Sequence, residues 1–191
     1  MNARDALRDN IAAAKAVFDR LPALAGQVDA AAGLILTALK RGNKLLTCGN
    51  GGSAADAAHM STEFVCRFEK ERRGYPAVCL NAHGGDLTAI ANDYAFDDVF
   101  ARQVRALGRC GDVLLAVTTS GTSENVRRAI EAAVAADVRT IALLGRDGGV
   151  TKGLAEVEMV VAGTVTARIQ EAQKLLIHTI CQLVDAELPA S

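Results

Sequence analysis

His59 and Glu63 stand four residues apart, directly behind the run Gly49-Asn50-Gly51-Gly52-Ser53. On a helix that spacing puts both side chains on one face, where an imidazole and a carboxylate suit a metal ion or proton transfer. The run before them offers free backbone N–H groups and a hydroxyl, the donors an oxyanion such as phosphate needs. An anion cradle joined to a reactive pair suits an enzyme acting on a phosphorylated small molecule. The plainer reading of the pair is a surface salt link.

A second loop, Thr118-Thr119-Ser120-Gly121-Thr122-Ser123, is dense in hydroxyls and leads into a helix at about residue 123. Hydroxyls and N–H groups at a helix N-terminus form an anion site without any lysine. The plainer alternative is that Thr122 or Ser123 merely caps the helix, which explains one hydroxyl but not the rest. The first loop also loosely matches a dinucleotide fingerprint, Gly49-x-Gly51-x-x-Ala54. That fingerprint expects an acid at the end of the next strand. Here the strand ends at Asn81 and the nearest acid is Asp86, so dinucleotide binding is the weaker reading.

Of the remaining histidines, His178 sits among Leu175, Leu176, Ile177 and Ile180, an apolar setting that lowers its pKa or demands a partner. His83 reads as ordinary surface. Gln170 precedes His178 by eight residues on the same helix, about 12 Å along its axis. One ion is not expected to bridge both from one straight helix, so the two are expected to reach a shared kind of site from different subunits.

These residues need a scaffold. Leu7, Ile11, Ala14, Phe18 and Leu21 recur at helical spacing, and Pro22 is expected to end that helix; a second runs from about Gln27 to Lys40. Apolar runs at 44–48, 77–81, 112–117, 139–144 and 157–161 then alternate with helical segments at 53–67, 86–107 (broken near Asn92-Asp93) and 122–136. A last helix covers about 166 to 187, and 150–155 has no clear assignment. Strands that are apolar throughout, separated by helices, predict a parallel sheet covered on both faces. The expected fold is a single α/β domain over 1–191: helices at 1–42, then a doubly wound, flavodoxin-like five-stranded core at 43–191. Ligands of such sheets bind beyond the carboxyl ends of the strands, where both loops fall. The charged run Arg67 to Arg73 reads as a solvated helix end and loop.

Composition narrows the class. A net charge of −1 and 4% aromatic residues give no footprint for nucleic acid. No unbroken apolar stretch of 18 residues or more occurs in the sequence, so no membrane span is expected. The segment MNARDALRDN lacks the apolar centre of a secretory signal. Five cysteines, Cys48, Cys66, Cys79, Cys110 and Cys181, stand far apart. Several lie in apolar runs as small buried hydrophobes, so a cytoplasmic location is expected.

Over nearly its whole length the chain resembles the phosphoheptose isomerase branch of the sugar-isomerase (SIS) family. The resemblance rests on CGNGGSAADAAH with Glu63 behind it, LTAIANDY at 87–94, GDVLLAVTTSGTSENV at 111–126 and RIQEAQKLLIH at 168–178. It implies conversion of sedoheptulose 7-phosphate to glycero-manno-heptose 7-phosphate, toward bacterial lipopolysaccharide, by a homotetramer with sites at subunit contacts and N-terminal helices packed in the oligomer. It implies that Asn50, Gly51, Gly52 and Ser53 lie at the substrate, that Asn92 and Asp93 hold sugar hydroxyls, and that Thr118, Thr119, Ser120 and Ser123 bind the phosphate. It also implies a zinc ion on His59, Glu63, Gln170 and His178, with Glu63 and Gln170 touching substrate. Glu63 is then the expected base and His178 the acid–base partner on oxygen. Two departures stand out: Thr118 replaces a serine found in some members, and Ala167 replaces an aspartate. The chain also resembles non-catalytic SIS regulators of the DnaA initiator-associating type. As that branch is read, it lacks the glutamate and last-helix histidine present here as Glu63 and His178.

Overall fold

The computed structural model describes residues 2–189. Helix α1 (Ala3–Phe18) is capped by Asn2, whose side chain accepts from the Asp5 N–H. It stops at Phe18, before Pro22. That proline instead lies in the first turn of a 3-10 segment, Leu21–Leu24, where its missing N–H has no helical partner to lose. After α2 (Ala25–Lys40) come β1 (Leu45–Gly49), α3 (Gly52–Val65), β2 (Ala77–Cys79), α4 (Gly84–Asp93), α5 (Val99–Leu107) and β3 (Val113–Thr118). The chain continues through α6 (Glu124–Ala135), β4 (Arg139–Gly145), β5 (Val157–Val161) and α7 (Thr166–Glu187). The unassigned piece near 150 is a 3-10 turn, Gly149–Thr151.

All strands are parallel, in the order β2-β1-β3-β4-β5. This is the flavodoxin-like order, and it reverses direction between β1 and β3. The loops leaving those two strands therefore flank the switch point side by side. Along each strand alternate residues enter opposite cores. Leu45, Val113, Leu115, Ile141, Leu143 and Met159 pack under α2, α3 and α7, while Leu46, Cys48, Leu114, Ala116, Ala142 and Leu144 pack under α4 to α6. Burial on both sides is why the strands read as continuous apolar runs. On α7, burial in the core under the sheet pushes the thiol of Cys181 up to about 12, an inert buried group.

One apolar segment needs placing, and one expectation changes. The helical run Ala3–Lys40 does contain an 18-residue window apolar enough to cross a membrane. That apolarity belongs largely to α2, which buries Val28, Ala31, Ala32, Ile35, Ala38 and Leu39 in the domain core. The charged run after α3 is not simply solvated. Arg72 is 4% exposed, pairs with Asp185 of α7 at 2.5 Å, and donates to the carbonyls of Glu63 and Phe64. The last-turn carbonyls of α3 lack helical partners and attract a cation; Arg72 supplies both donors and charge.

Candidate active site

The first loop is shaped by backbone demands. Gly51 is the N-cap of α3 at φ 55, a left-handed conformation suited to glycine. A Cβ on Gly49 would come within 2.7 Å of the Ser53 backbone, and one on Gly52 within 2.4 Å of the Gln170 amide. Asn81, in the loop after β2, braces the turn: it accepts from the Gly49 N–H at 3.2 Å and donates to the Gly49 carbonyl at 2.9 Å. Asn50 reaches across the switch point to Asn125 of α6, the two amides exchanging hydrogen bonds of 2.8 and 2.9 Å.

The second loop gathers hydroxyls around buried Thr118. Thr118, buried at the end of β3, lies 3.4 Å from the Ser120 hydroxyl and 3.3 Å from that of Ser123 (Oγ to Oγ). Ser123 is the N-cap of α6 but its side chain makes no capping bond, so capping does not account for these hydroxyls. What remains is a cluster in which the Thr118 hydroxyl meets those of Ser120 and Ser123 at the start of a helix. Gly121 holds φ 70, and a Cβ there would lie 2.2 Å from the Gly148 carbonyl oxygen. A cavity of about 540 Å³ beside Ser120 and Thr122 also takes in Arg146, a cation near the loop that the sequence pattern did not bring forward.

The reactive side chains come from α3 and α7, which lie on the same face of the sheet and pack against each other. His59 Nε2 stands 2.9 Å from His178 Nε2 and 3.1 Å from Glu63 Oε1. One turn toward the loops, buried Asp56 faces Lys174 at 2.7 Å; beyond that, Gln170 donates to Asp56 at 3.1 Å and lies flat against Gly52. Gln170, Lys174 and His178 are thus a stripe at spacing four on α7 that answers Gly52, Asp56 and the His59/Glu63 pair on α3. Burial lowers the His178 pKa, and His59 and Lys174 push it the same way, against Glu63 and Asp56. Its imidazole is held toward the neutral form, able to take or give one proton or to donate a lone pair to a metal.

One chain therefore gathers His59, Glu63 and His178, while Gln170 sits apart at the glycine loop. Asn92 and Asp93 are exposed at the end of α4, Asn92 donating to Asp93, and among the described residues they hydrogen-bond to neither loop. Among the described residues no three His, Cys, Asp or Glu side chains form a ready metal centre. The donor types nevertheless suit zinc, and contacts of 2.9 and 3.1 Å are near the about 3.3 Å that neighbouring ligands of a tetrahedral zinc keep. The residues fit such an ion in kind, short of a closed set. Asp56, Lys174, Asn81 and Asn125 were not singled out from the sequence. The spacing of Lys174, midway between Gln170 and His178, is the one signal that could have marked it.

A parallel sheet with a glycine-rich and a hydroxyl-rich loop side by side at its switch point fits a sugar-isomerase-type α/β domain, and the model of the SIS domain family matches residues 10–145. The relatives narrow this further. A phosphoheptose isomerase of Shewanella frigidimarina is 45% identical over 188 residues, covering 97% of this chain and 94% of that protein. One of Thiobacillus denitrificans is 50% identical over 183 residues, covering 93% and 91%. The solved phosphoheptose isomerase of Neisseria gonorrhoeae superposes with a TM-score of 0.90 at 41% identity, covering 97% of this chain and all of that one. The chain belongs to the SIS family, in its phosphoheptose isomerase branch.

Proposed function

We propose that the chain is a ketose–aldose isomerase that converts sedoheptulose 7-phosphate to D-glycero-D-manno-heptose 7-phosphate, for heptose and lipopolysaccharide precursors. The observation that carries this reading is the His59–His178–Glu63 cluster within one chain whose fold supplies a hydroxyl-lined anion loop. Isomerisation moves one proton between C1 and C2 through an enediol(ate). The Glu63 carboxylate takes the proton from C1 and returns it to C2. His178, held toward neutrality by burial, gives a proton to the C2 oxygen as the carbonyl is lost and takes one from the C1 oxygen as the aldehyde forms. The loop at 118–123 binds the phosphate and holds the reacting carbons in place.

A zinc ion, when bound, would polarise the carbonyl and stabilise the enediolate. His59, Glu63 and His178 would hold it from one chain. Gln170 lies at the glycine loop, so we propose that a homotetramer completes each site across its subunit contacts. The unburied α1, with Leu7 62% and Ile11 65% exposed, supports such packing. A phosphosugar substrate and the buried thiols both favour a cytoplasmic setting. The regulator reading has less support, because Glu63 and His178 converge here as reactive groups.

The test is direct: purified protein is incubated with sedoheptulose 7-phosphate, with and without zinc, and aldose formation is followed. Absence of turnover in both conditions would sink the proposal. Full activity of Glu63→Gln would remove Glu63 from its role as base.

A further inference from the structure

Asp56 is 2% exposed, and the proposed reaction has no use for it. Both of its partners come from α7: Lys174 Nζ lies 2.7 Å from Oδ1, and Gln170 Nε2 donates to Oδ2 at 3.1 Å. A carboxylate has no hydrogen to donate, so an amide facing it must present its NH₂ group. The two ends of a glutamine amide are otherwise nearly equivalent in shape, and only such a neighbour distinguishes them. The whole amide lies against Gly52, where a Cβ would meet its nitrogen at 2.4 Å and its oxygen at 2.5 Å; with the NH₂ held on Asp56, the carbonyl oxygen is the end left free at the glycine loop. A buried carboxylate stripped of its counter-charge is strongly disfavoured, and Lys174 supplies that charge. Lys174 also lines a cavity of about 370 Å³ with Asp56, Ala167, Gln170 and Glu171.

We infer that Asp56 and Lys174 are positioning residues: together they lock the Gln170 amide so that its oxygen faces the glycine loop as an acceptor for a hydroxyl of the sugar chain. This rests on the isomerase reading for the identity of the ligand, but the amide orientation stands on its own geometry. It assigns a role to two side chains outside the reacting cluster. It also assigns a direction to Gln170 that its residue type leaves open.

Three variants of the full chain test it: Asp56→Asn, Lys174→Met and Lys174→Arg. The Gln170 side-chain NH₂ signals, identified by their loss in Gln170→Ala, are followed by nitrogen–proton NMR for exchange protection. Melting and steady-state kinetics with sedoheptulose 7-phosphate are measured alongside. The wild type is expected to show protected NH₂ signals. Lys174→Met should lose that protection and about tenfold in kcat/KM, the worth of one hydrogen bond to substrate, and Lys174→Arg should restore both. Asp56→Asn, which can present either end of its own amide, should behave as Lys174→Met does while melting near wild type. If Asp56→Asn does not fold, the Met and Arg variants at 174 carry the comparison. Protection and kinetics unchanged in Lys174→Met would overturn the inference. Responsive amide signals in an enzyme that never turns over the sugar would leave the orientation standing and remove the isomerase reading.

Discussion

His59 and His178, 119 residues apart in the chain, face each other with their Nε2 atoms 2.9 Å apart. Two imidazoles approach so closely only when one donates and the other accepts, or when an ion lies between them. The contact exists because α3 and α7 share one face of the sheet, and Gln173 fixes α7 there by donating to the Thr118 and Leu143 carbonyls at the ends of β3 and β4.

His178→Ala is expected to reduce kcat by about 10²–10⁴-fold, the range for losing a positioned acid–base group, with little change in melting. His59→Ala should weaken zinc binding, read by competition with a chromogenic chelator. Equal zinc affinity in wild type and His59→Ala would argue against His59 as a ligand.

Gly52→Ala introduces a methyl group 2.4 Å from the Gln170 amide. Gln170 has a flexible side chain and can retreat, so the protein should fold, but substrate contact at the glycine loop should suffer. The expected result is a higher KM with near-native melting. Gly121→Ala differs, because its methyl meets backbone at 2.2 Å and its φ is 70. That variant should lose stability by about 1–3 kcal/mol in denaturant titration.

Arg72→Met leaves Asp185 buried without its partner, and such losses cost about 3–5 kcal/mol. The double variant Arg72→Met/Asp185→Leu removes both charges and should recover part of that. A double variant as unstable as the single one would show that the carbonyl contacts of Arg72 to Glu63 and Phe64, not the ion pair, carry the stability.

Asp112 ties the start of β3 to β1. Burial alone would raise its pKa, but hydrogen bonds from the Lys44 side chain and backbone, the Arg109 N–H and Asn43 outweigh it and hold the carboxyl below its usual 3.8. A carboxyl lowered in the folded state stabilises above its unfolded pKa, and that stability is lost as pH falls through the folded value. Asp112→Asn should therefore cost about 1–3 kcal/mol at neutral pH, and the gap from wild type should close in acid below about pH 4. A gap independent of pH would mean that the charge of Asp112 is not what stabilises.

Ser120→Ala and Thr118→Val should each raise KM for the phosphosugar several-fold, and weaken inhibition by inorganic phosphate in step. Variants that change kcat alone would move the phosphate away from this loop.

Local pattern carried much of this protein. The apolar runs fixed five strands because a strand buried on both faces has no polar side to show. The stop at Arg41-Gly42, the loops at 49–53 and 118–123, and the His59/Glu63 spacing were all legible, since turn chemistry and helical period act within a few residues. β2, expected to reach Asn81, closes at Cys79 because Asn81 turns its amide to Gly49.

What lay beyond the sequence pattern depends on which helices become neighbours. The pairing of α3 with α7 follows from the strand order and the side of the sheet each helix covers, and it alone brings His178 to His59, Lys174 to Asp56 and Gln170 to Gly52. The same packing turned Arg72 from one charge in a polar run into a buried clamp, because a cation aimed at unpaired helix carbonyls and a facing carboxylate can leave water. The types of the reactive groups were set by the sequence. Their distances, and the direction of the Gln170 amide, were decided by contacts between segments more than a hundred residues apart.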